Sequence, residues 1–122
     1  MLQLLFISLG GAIGALLRYS LGNILKIYFI NSFYATLSVN IIGSFLIGYF
    51  VSLGYVKNFS ENFLKYFLII GLLGSFTTFS AFSYEVVDLF LSKKIFYCIV
   101  YIISSVFLCI LAAYIGMYIN KF

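Results

Sequence analysis

The 122-residue chain is 65% hydrophobic and 8% charged, with a mean hydropathy of +1.20 and a net charge of +4. Soluble domains carry about 25% charged and about 45–50% apolar residues, so this composition excludes a water-soluble monomer. Four stretches contain no charged residue: 1–17, 27–56, 66–84 and 95–120. Each approaches or exceeds the roughly 20 residues with which a helix crosses the hydrocarbon core of a bilayer. The chain is therefore predicted to be an integral membrane protein.

We predict an all-α fold with four transmembrane helices, near residues 2–21, 33–54, 64–90 and 96–119. Strands of a transmembrane barrel would alternate apolar and polar positions, whereas the segment 37–53 is apolar on every face. The first span lacks a basic start and its Arg18 comes late, so we expect no cleaved signal peptide. With only short connections between spans, residues 1–122 are expected to form one membrane domain.

Small residues recur in the first two spans, where they allow helices to approach closely. They are Gly10, Gly14 and Ala15 in the first span, and Ser44 with Gly48 in the second. We predict that most of them serve packing.

Asn40 stands out in the second span, because a helix backbone does not satisfy its two donors and its acceptor. A polar group at this depth is costly, and it either joins helices or belongs to a functional site. Both interpretations of Asn40 stay open at this point. The hydroxyls of Thr36, Ser38, Ser52 and Ser104 are expected to bond back to their own helices.

The third span is interrupted by polar and flexible residues over the segment 71–83, GLLGSFTTFSAFS. Glycine and β-branched threonine weaken a helix locally, so we predict a helix break in the middle of the membrane. Backbone groups freed there are tolerated only where protein, water or an ion satisfies them. The carbonyls of one half-helix and the amides of the next are suited to bind cations and anions respectively.

Three phenylalanines follow at intervals of three, Phe76, Phe79 and Phe82, which would place them on one helical face. Such a stripe usually packs or faces lipid. The edges of aromatic rings carry positive partial charge, however, and Ser80 and Ser83 add hydroxyls. Together they would replace the hydration of a small anion without a buried lysine, which indicates a weakly binding anion path.

Composition argues against an enzyme. The chain has no histidine, and Cys98 and Cys109 are about 16 Å apart along one predicted helix, too far for a disulfide. Metal centres and Ser-His or Cys-His catalysis are thereby excluded within one chain. Among the acids only Glu85 and Asp88 are close in sequence.

The basic residues lie at span ends and in connections, where lysine anchors helices at the headgroups; they do not form one nucleic-acid-binding face. One side of the membrane would hold Lys57, Lys65 and Lys121, and the other Lys26, Lys93 and Lys94, with Arg18 if it reaches that far. This near-equality gives no preferred orientation, and insertion in both orientations is our hypothesis.

Two other functions fit the residues less well. A small proton-coupled multidrug exporter needs an acid within the membrane, typically in the first span, and residues 1–17 have none. A subunit that only anchors or assembles others would explain the hydrophobicity but neither Asn40 nor the segment 71–83.

Three segments resemble the signatures of the CrcB family, the Fluc-type fluoride channels: GGAIGALLRYSLG (10–22), NIIGSF (40–45) and GLLGSFTTFSAFS (71–83). The resemblance implies an antiparallel, dual-topology homodimer with two fluoride pores in the cell (inner) membrane. Such a channel exports fluoride passively, which lowers cytoplasmic fluoride and its toxicity.

The resemblance also implies roles for individual residues. Main-chain carbonyls of Gly74 and Thr77 from both subunits would hold a structural sodium ion. The fluoride pathway would be lined by Asn40, Phe79, Phe82, Ser80, Tyr101 and Ser105, with Arg18 and Glu85 in a vestibule. One departure is Ala81, where the family commonly has threonine.

Overall fold

The computed structural model describes residues 1–29, 31–56 and 60–120, so Lys57 and Lys121 lie outside the described part. Its helices are α1 (Leu2–Tyr28), α2 (Ser32–Val56), a π-helix (Asn62–Leu73), a short α3 (Gly74–Phe76), α4 (Phe79–Leu91) and α5 (Ile95–Ile119). Within the described residues, four segments are long and apolar enough to cross a membrane: Leu2–Tyr28, Ser32–Gly54, Asn62–Leu91 and Ile95–Ile119. The predicted all-α architecture with four long apolar helices is confirmed.

Helix α1 continues to Tyr28, well past the predicted end of the first span at residue 21. Lys26 lies in its last turn, where a positive charge interacts favourably with the helix dipole, and lysine is itself a good helix former. A lysine therefore ends the lipid-compatible stretch without ending the helix. The helix stops where Phe29 becomes extended, with φ −107° and ψ 129°.

Helices α2 and α5 touch through their backbones. A Cβ atom added at Gly48 would overlap the carbonyl of Ala113, and one at Gly116 would overlap the carbonyl of Phe45. Only glycine permits this approach at either position, which confirms the predicted packing role of Gly48.

Helix α1 packs in the same way against the π-helix. A Cβ added at Gly10 would meet the Phe67 carbonyl, and one at Gly14 would meet that of Leu72. The packing role predicted for Gly10 and Gly14 is confirmed as well. The molecule thus contains two closely packed pairs, α1 with the π-helix and α2 with α5.

An apolar core cluster lies between α4 and α5 and consists of Phe82, Leu89, Cys98 and Tyr101. Residues of α2 pack around it, so the core joins three helices. The Tyr101 ring lies between those of Phe82 and Phe33, at centroid distances of 5.2 and 5.3 Å. This core fixes the position of α4 directly after the point where the helical backbone is interrupted.

Candidate functional site

The helical backbone is interrupted at Thr77 and Thr78, which have extended conformations with ψ 154° and 115°. In a continuous α-helix, the Thr78 amide would donate to the Gly74 carbonyl and the Ala81 amide to that of Thr77. Here Thr78 N–H donates to Asn40 Oδ1 at 2.8 Å, and Ala81 N–H donates to Thr78 Oγ1 at 3.2 Å. The carbonyls of Gly74 and Thr77 therefore lose the amide donors that a helix would supply.

Asn40 on α2 makes a second bond to the same residue, because its Nδ2 donates to the Thr78 carbonyl at 3.0 Å. Its carboxamide thus pairs with both backbone groups of Thr78, which is 8% exposed. Of the two interpretations of Asn40, joining helices is confirmed. One N–H of Nδ2 is not used by these two bonds.

A cavity of about 290 Å³ opens beside the interruption, between α2, α4 and α5, and we call it the central cavity. No described residue that lines it is charged. Four residues of the predicted pathway line it: Asn40, Phe79, Phe82 and Ser105. The other lining residues are Ser44, Ile47, Thr77, Thr78, Val106, Cys109 and Ile110. The structure thus gathers residues of three helices around a small, largely apolar space.

Ser105 contributes an unsatisfied hydroxyl to the central cavity. It is 6% exposed, and within residues 1–29, 31–56 and 60–120 its Oγ is the one buried side-chain nitrogen or oxygen without a hydrogen-bond partner. Burying a polar group without a partner costs about 1–3 kcal/mol, and native proteins rarely do so without reason. The hydroxyl therefore has a hydrogen-bonding capacity that no described residue satisfies.

Phe79 and Phe82 form the aromatic part of the central cavity, with ring centroids 5.4 Å apart. Phe82 is 9% exposed, whereas Phe79 is 77% exposed. The prediction that Phe76 shares their helical face is wrong. The interruption separates Phe76 from the other two, and Phe76 lines an apolar cavity next to Leu72 instead.

The carboxylate of Glu85 receives one hydrogen bond on each oxygen. Thr36 Oγ1 donates to Oε1 at 2.7 Å, and the Tyr101 hydroxyl donates to Oε2 at 2.6 Å. Tyr101 is 3% exposed and does not line the central cavity. Its ring packs on Phe82 and thereby connects the carboxylate to that cavity.

The expected bond from Thr36 back to its own helix is wrong, because the Glu85 carboxylate lies within reach and is a stronger acceptor. For Ser38, Ser52 and Ser104 the expectation is confirmed, since each donates to a carbonyl of its own helix. Thr36 is thus a residue of the candidate site that sequence reasoning missed.

Two further cavities flank the site. One, of about 210 Å³, is lined by Arg18, Lys26 and Ala81, and we call it the Arg18 cavity. The other, of about 500 Å³, is lined by Glu85 together with Asp88, Lys94 and Tyr97, and is called the Glu85 cavity. The two residues assigned to a vestibule therefore line separate cavities.

Thr78 lines both the central cavity and the Arg18 cavity, and so lies between them. Ser80, which is exposed, has its Oγ 3.2 Å from Thr78 Oγ1 and does not line the central cavity. Thr78 was part of the segment 71–83 but had no predicted role of its own. Its significance depends on Asn40, which is remote in sequence.

Comparisons with known proteins agree on one family. The CrcB-like family (CrcB-like protein, Camphor Resistance) matches residues 5–117. A protein of Magnetococcus marinus named fluoride-specific ion channel FluC is 40% identical over 121 residues, covering 98% of both chains. A protein of the same name in Flavobacterium psychrophilum is 42% identical, and the match covers 99% of this chain and 98% of the relative. Another in Shewanella denitrificans is 43% identical, and that match covers 95% of this chain and 94% of the relative.

Proposed function

We propose that this chain, which belongs to the CrcB-like family, is a fluoride-specific ion channel. The family consists of ion channels and not of enzymes, in agreement with the chemistry that the composition excludes. The observation that carries the proposal is the central cavity, where neutral donors and aromatic rings meet beside a helix interruption. Relatives about 40% identical over nearly their full length bear the name of fluoride channels.

The cavity has the properties that a fluoride pathway requires. Fluoride is strongly hydrated, so a pore must replace its water with donors and still release the ion. The free N–H of Asn40, the unpaired hydroxyl of Ser105 and the ring edges of Phe79 and Phe82 are such donors. Because none of these groups is charged, an anion held by them is not trapped.

The flanking cavities suit the two ends of this pathway. Arg18 and Lys26 give one end positive charge, which raises the local concentration of anions. Ser80 and Thr78 supply hydroxyls next to that cavity. At the other end, Tyr101 lies between the central cavity and Glu85. We propose that fluoride passes along this route.

A passive channel is sufficient for export. Hydrogen fluoride crosses membranes, and in a less acidic cytoplasm it dissociates and leaves the anion inside. A membrane potential that is negative inside drives an anion outward with about 2.3 kcal/mol per 100 mV. The proposed result is a lower cytoplasmic fluoride concentration and lower toxicity, with the protein in the cell (inner) membrane.

We further propose that two copies assemble as an antiparallel, dual-topology homodimer. Its support is the nearly equal distribution of basic residues on the two sides of the membrane. Gly74 and Phe79 lie on either side of the interruption, and both are exposed. This exposure also favours a second copy of the chain packed against the interruption. Each copy forms one membrane domain over residues 1–122.

The residues at the interruption fit a structural sodium ion. Gly74 and Thr77, whose carbonyls the family resemblance assigns to sodium, are among the residues that lose their helical amide donors at the interruption. Unwound backbone carbonyls at membrane depth are typical ligands of sodium. Bound there, the ion would neutralise these dipoles and hold the interruptions of both subunits together.

The pathway is tested by fluoride efflux from liposomes that contain the purified protein. Phe82→Ile removes a ring edge from the central cavity, and we expect about tenfold slower efflux with dimer assembly unchanged, since about 1.4 kcal/mol corresponds to a factor of ten. Phe107→Ile is the control, because Phe107 is 62% exposed on α5 and does not line that cavity. Equal efflux from wild type and Phe82→Ile would refute the assignment.

A further inference from the structure

Asn40 and Thr78 lie 38 residues apart and form a reciprocal pair of hydrogen bonds, at 2.8 and 3.0 Å. The carboxamide accepts from the Thr78 N–H and donates to the Thr78 carbonyl, as a second peptide strand would. We propose that Asn40 is a positioning residue whose carboxamide clamps the backbone of Thr78 and thereby keeps the interruption between α3 and α4 open.

The clamp acts on the group that would otherwise close the helix. The Thr78 amide is the donor that a continuous α-helix would direct to the Gly74 carbonyl. By accepting this N–H, Asn40 Oδ1 keeps the Gly74 carbonyl out of helical pairing. Gly74 itself retains helical φ and ψ values of −62° and −32°, so the change begins after it. One side chain of α2 therefore determines which backbone groups are free on the neighbouring segment.

The clamp also limits what Asn40 can offer to an anion. Its side chain has two N–H donors and one carbonyl oxygen. One donor is used by the Thr78 carbonyl, and the oxygen receives the Thr78 amide. A single N–H remains for the central cavity, which Asn40 lines. Positioning is thus the larger part of its role, and a direct contact with the anion the smaller part.

The position of Thr78 matters because this residue separates two cavities. It lines the central cavity and the Arg18 cavity, and its hydroxyl caps the first turn of α4 by accepting from Ala81 N–H. Holding its backbone therefore fixes both the partition and the start of the helix that carries Phe79. This consequence for conduction rests on the proposed function, whereas the clamp itself is measurable without fluoride.

The first test uses the wild-type protein in lipid, without fluoride. Nuclear magnetic resonance that resolves single amides gives the hydrogen exchange rate of Thr78 N–H. The clamp predicts exchange as slow as that of the amides within α4, although Thr78 is outside any helix. Exchange at the rate of an unpaired amide would overturn the proposal. This result needs no variant to fold.

Two variants then separate the clamp from a ligand role. Asn40→Leu removes the acceptor, and we expect exchange of the Thr78 amide about tenfold faster. Asn40→Asp keeps an acceptor of the same shape, so we expect that amide to stay protected, and loss of its protection would contradict the clamp. Unchanged exchange in Asn40→Leu, with efflux lost, would refute the clamp and make Asn40 a ligand only.

Ser105→Ala is the matched control, since Ser105 lines the same cavity and its hydroxyl makes no hydrogen bond to Thr78. It should leave the exchange rate of the Thr78 amide unchanged; acceleration would show that exchange reports general loosening, and would overturn the assignment to Asn40. Because none of these rates depends on fluoride transport, failure of the clamp and failure of the proposed function are distinguishable.

Discussion

The unpaired hydroxyl of Ser105 leads to a prediction in which stability and transport change in opposite directions. Ser105→Ala removes a buried hydroxyl that has no partner within the described residues. Alanine fits the same space and leaves no polar atom without a partner. We expect the folded state to become more stable, whereas fluoride efflux becomes slower because a donor in the central cavity is lost.

The magnitude follows from the environment of the side chain. Burying an unsatisfied hydroxyl costs about 1–3 kcal/mol, and its removal recovers part of this, about 1 kcal/mol. A hydrogen bond to a charged group contributes about 1.5–3 kcal/mol, so the loss of this donor should slow efflux by about one to two orders of magnitude. The gain in stability and the slower efflux both result from the removal of one atom, the Oγ of Ser105, a residue that is 6% exposed.

Ser52 offers the matched control, because it is equally buried at 5% exposure but fully bonded. Its hydroxyl donates to the Tyr49 carbonyl at 2.8 Å and accepts from Asn120 Nδ2 at 2.7 Å. Ser52→Ala should therefore lower the free energy of unfolding by about 1–2 kcal/mol. Since Ser52 does not line the central cavity, the comparison isolates the effect of an unpaired hydroxyl.

The assay is unfolding of both variants in mixed micelles with increasing dodecyl sulfate, alongside efflux from liposomes. Opposite signs of the change in unfolding free energy are expected for Ser105→Ala and Ser52→Ala. Equal destabilisation by the two substitutions would show that the Ser105 hydroxyl is partnered in the folded protein. That result would refute the reasoning about the central cavity.

Two further substitutions test packing and the carboxylate. In Gly48→Ala the added Cβ would overlap a carbonyl of α5, so the folded protein should be destabilised by about 1–3 kcal/mol. In Gly22→Ala the added Cβ meets no atom within 4 Å, so the folded protein should be stabilised by up to about 1 kcal/mol. Equal unfolding free energies for this pair would contradict the close helix contact. Tyr101→Phe removes the hydroxyl that donates to Glu85 at 2.6 Å, and it should lower the free energy of unfolding by about 1.5–3 kcal/mol. Tyr84 is 73% exposed, so Tyr84→Phe should lower it by less than about 0.5 kcal/mol. A similar small loss in both tyrosine variants would show that the bond to the carboxylate contributes little.

The spans were predictable from charge because lipid excludes charged side chains from long apolar stretches. The starts of α2 at Ser32 and of α5 at Ile95 lie within one residue of the predictions. The end of α1 was not predictable in this way. Lys26 terminates the apolar stretch, but a helix continues through lysine at little cost.

The site was predictable only in its local part. Glycine and threonine in 71–83 weaken a helix wherever they occur, and the interruption lies at Thr77 and Thr78 within that segment. The pairing of Asn40 with Thr78 and of Thr36 with Glu85 spans 38 and 49 residues. A periodicity of 3.6 residues contains no information about such contacts between helices.

The predicted phenylalanine stripe shows the same limit. A spacing of three places Phe76, Phe79 and Phe82 on one face only if the helix continues through them. The interruption redirects the backbone after Phe76, so that two of the three rings line the central cavity. A stripe of three rings requires a continuous helix, so the extended conformations of Thr77 and Thr78 determine the arrangement.

Anion selectivity tests the central claim most directly. Liposomes that contain the purified protein are loaded with potassium fluoride or potassium chloride, and efflux is started with a potassium ionophore and followed by ion-selective electrodes. The uncharged central cavity with its few donors predicts rapid efflux of fluoride and none of chloride above that of protein-free liposomes. Equal efflux of both anions, or no fluoride efflux from folded protein, would contradict the account.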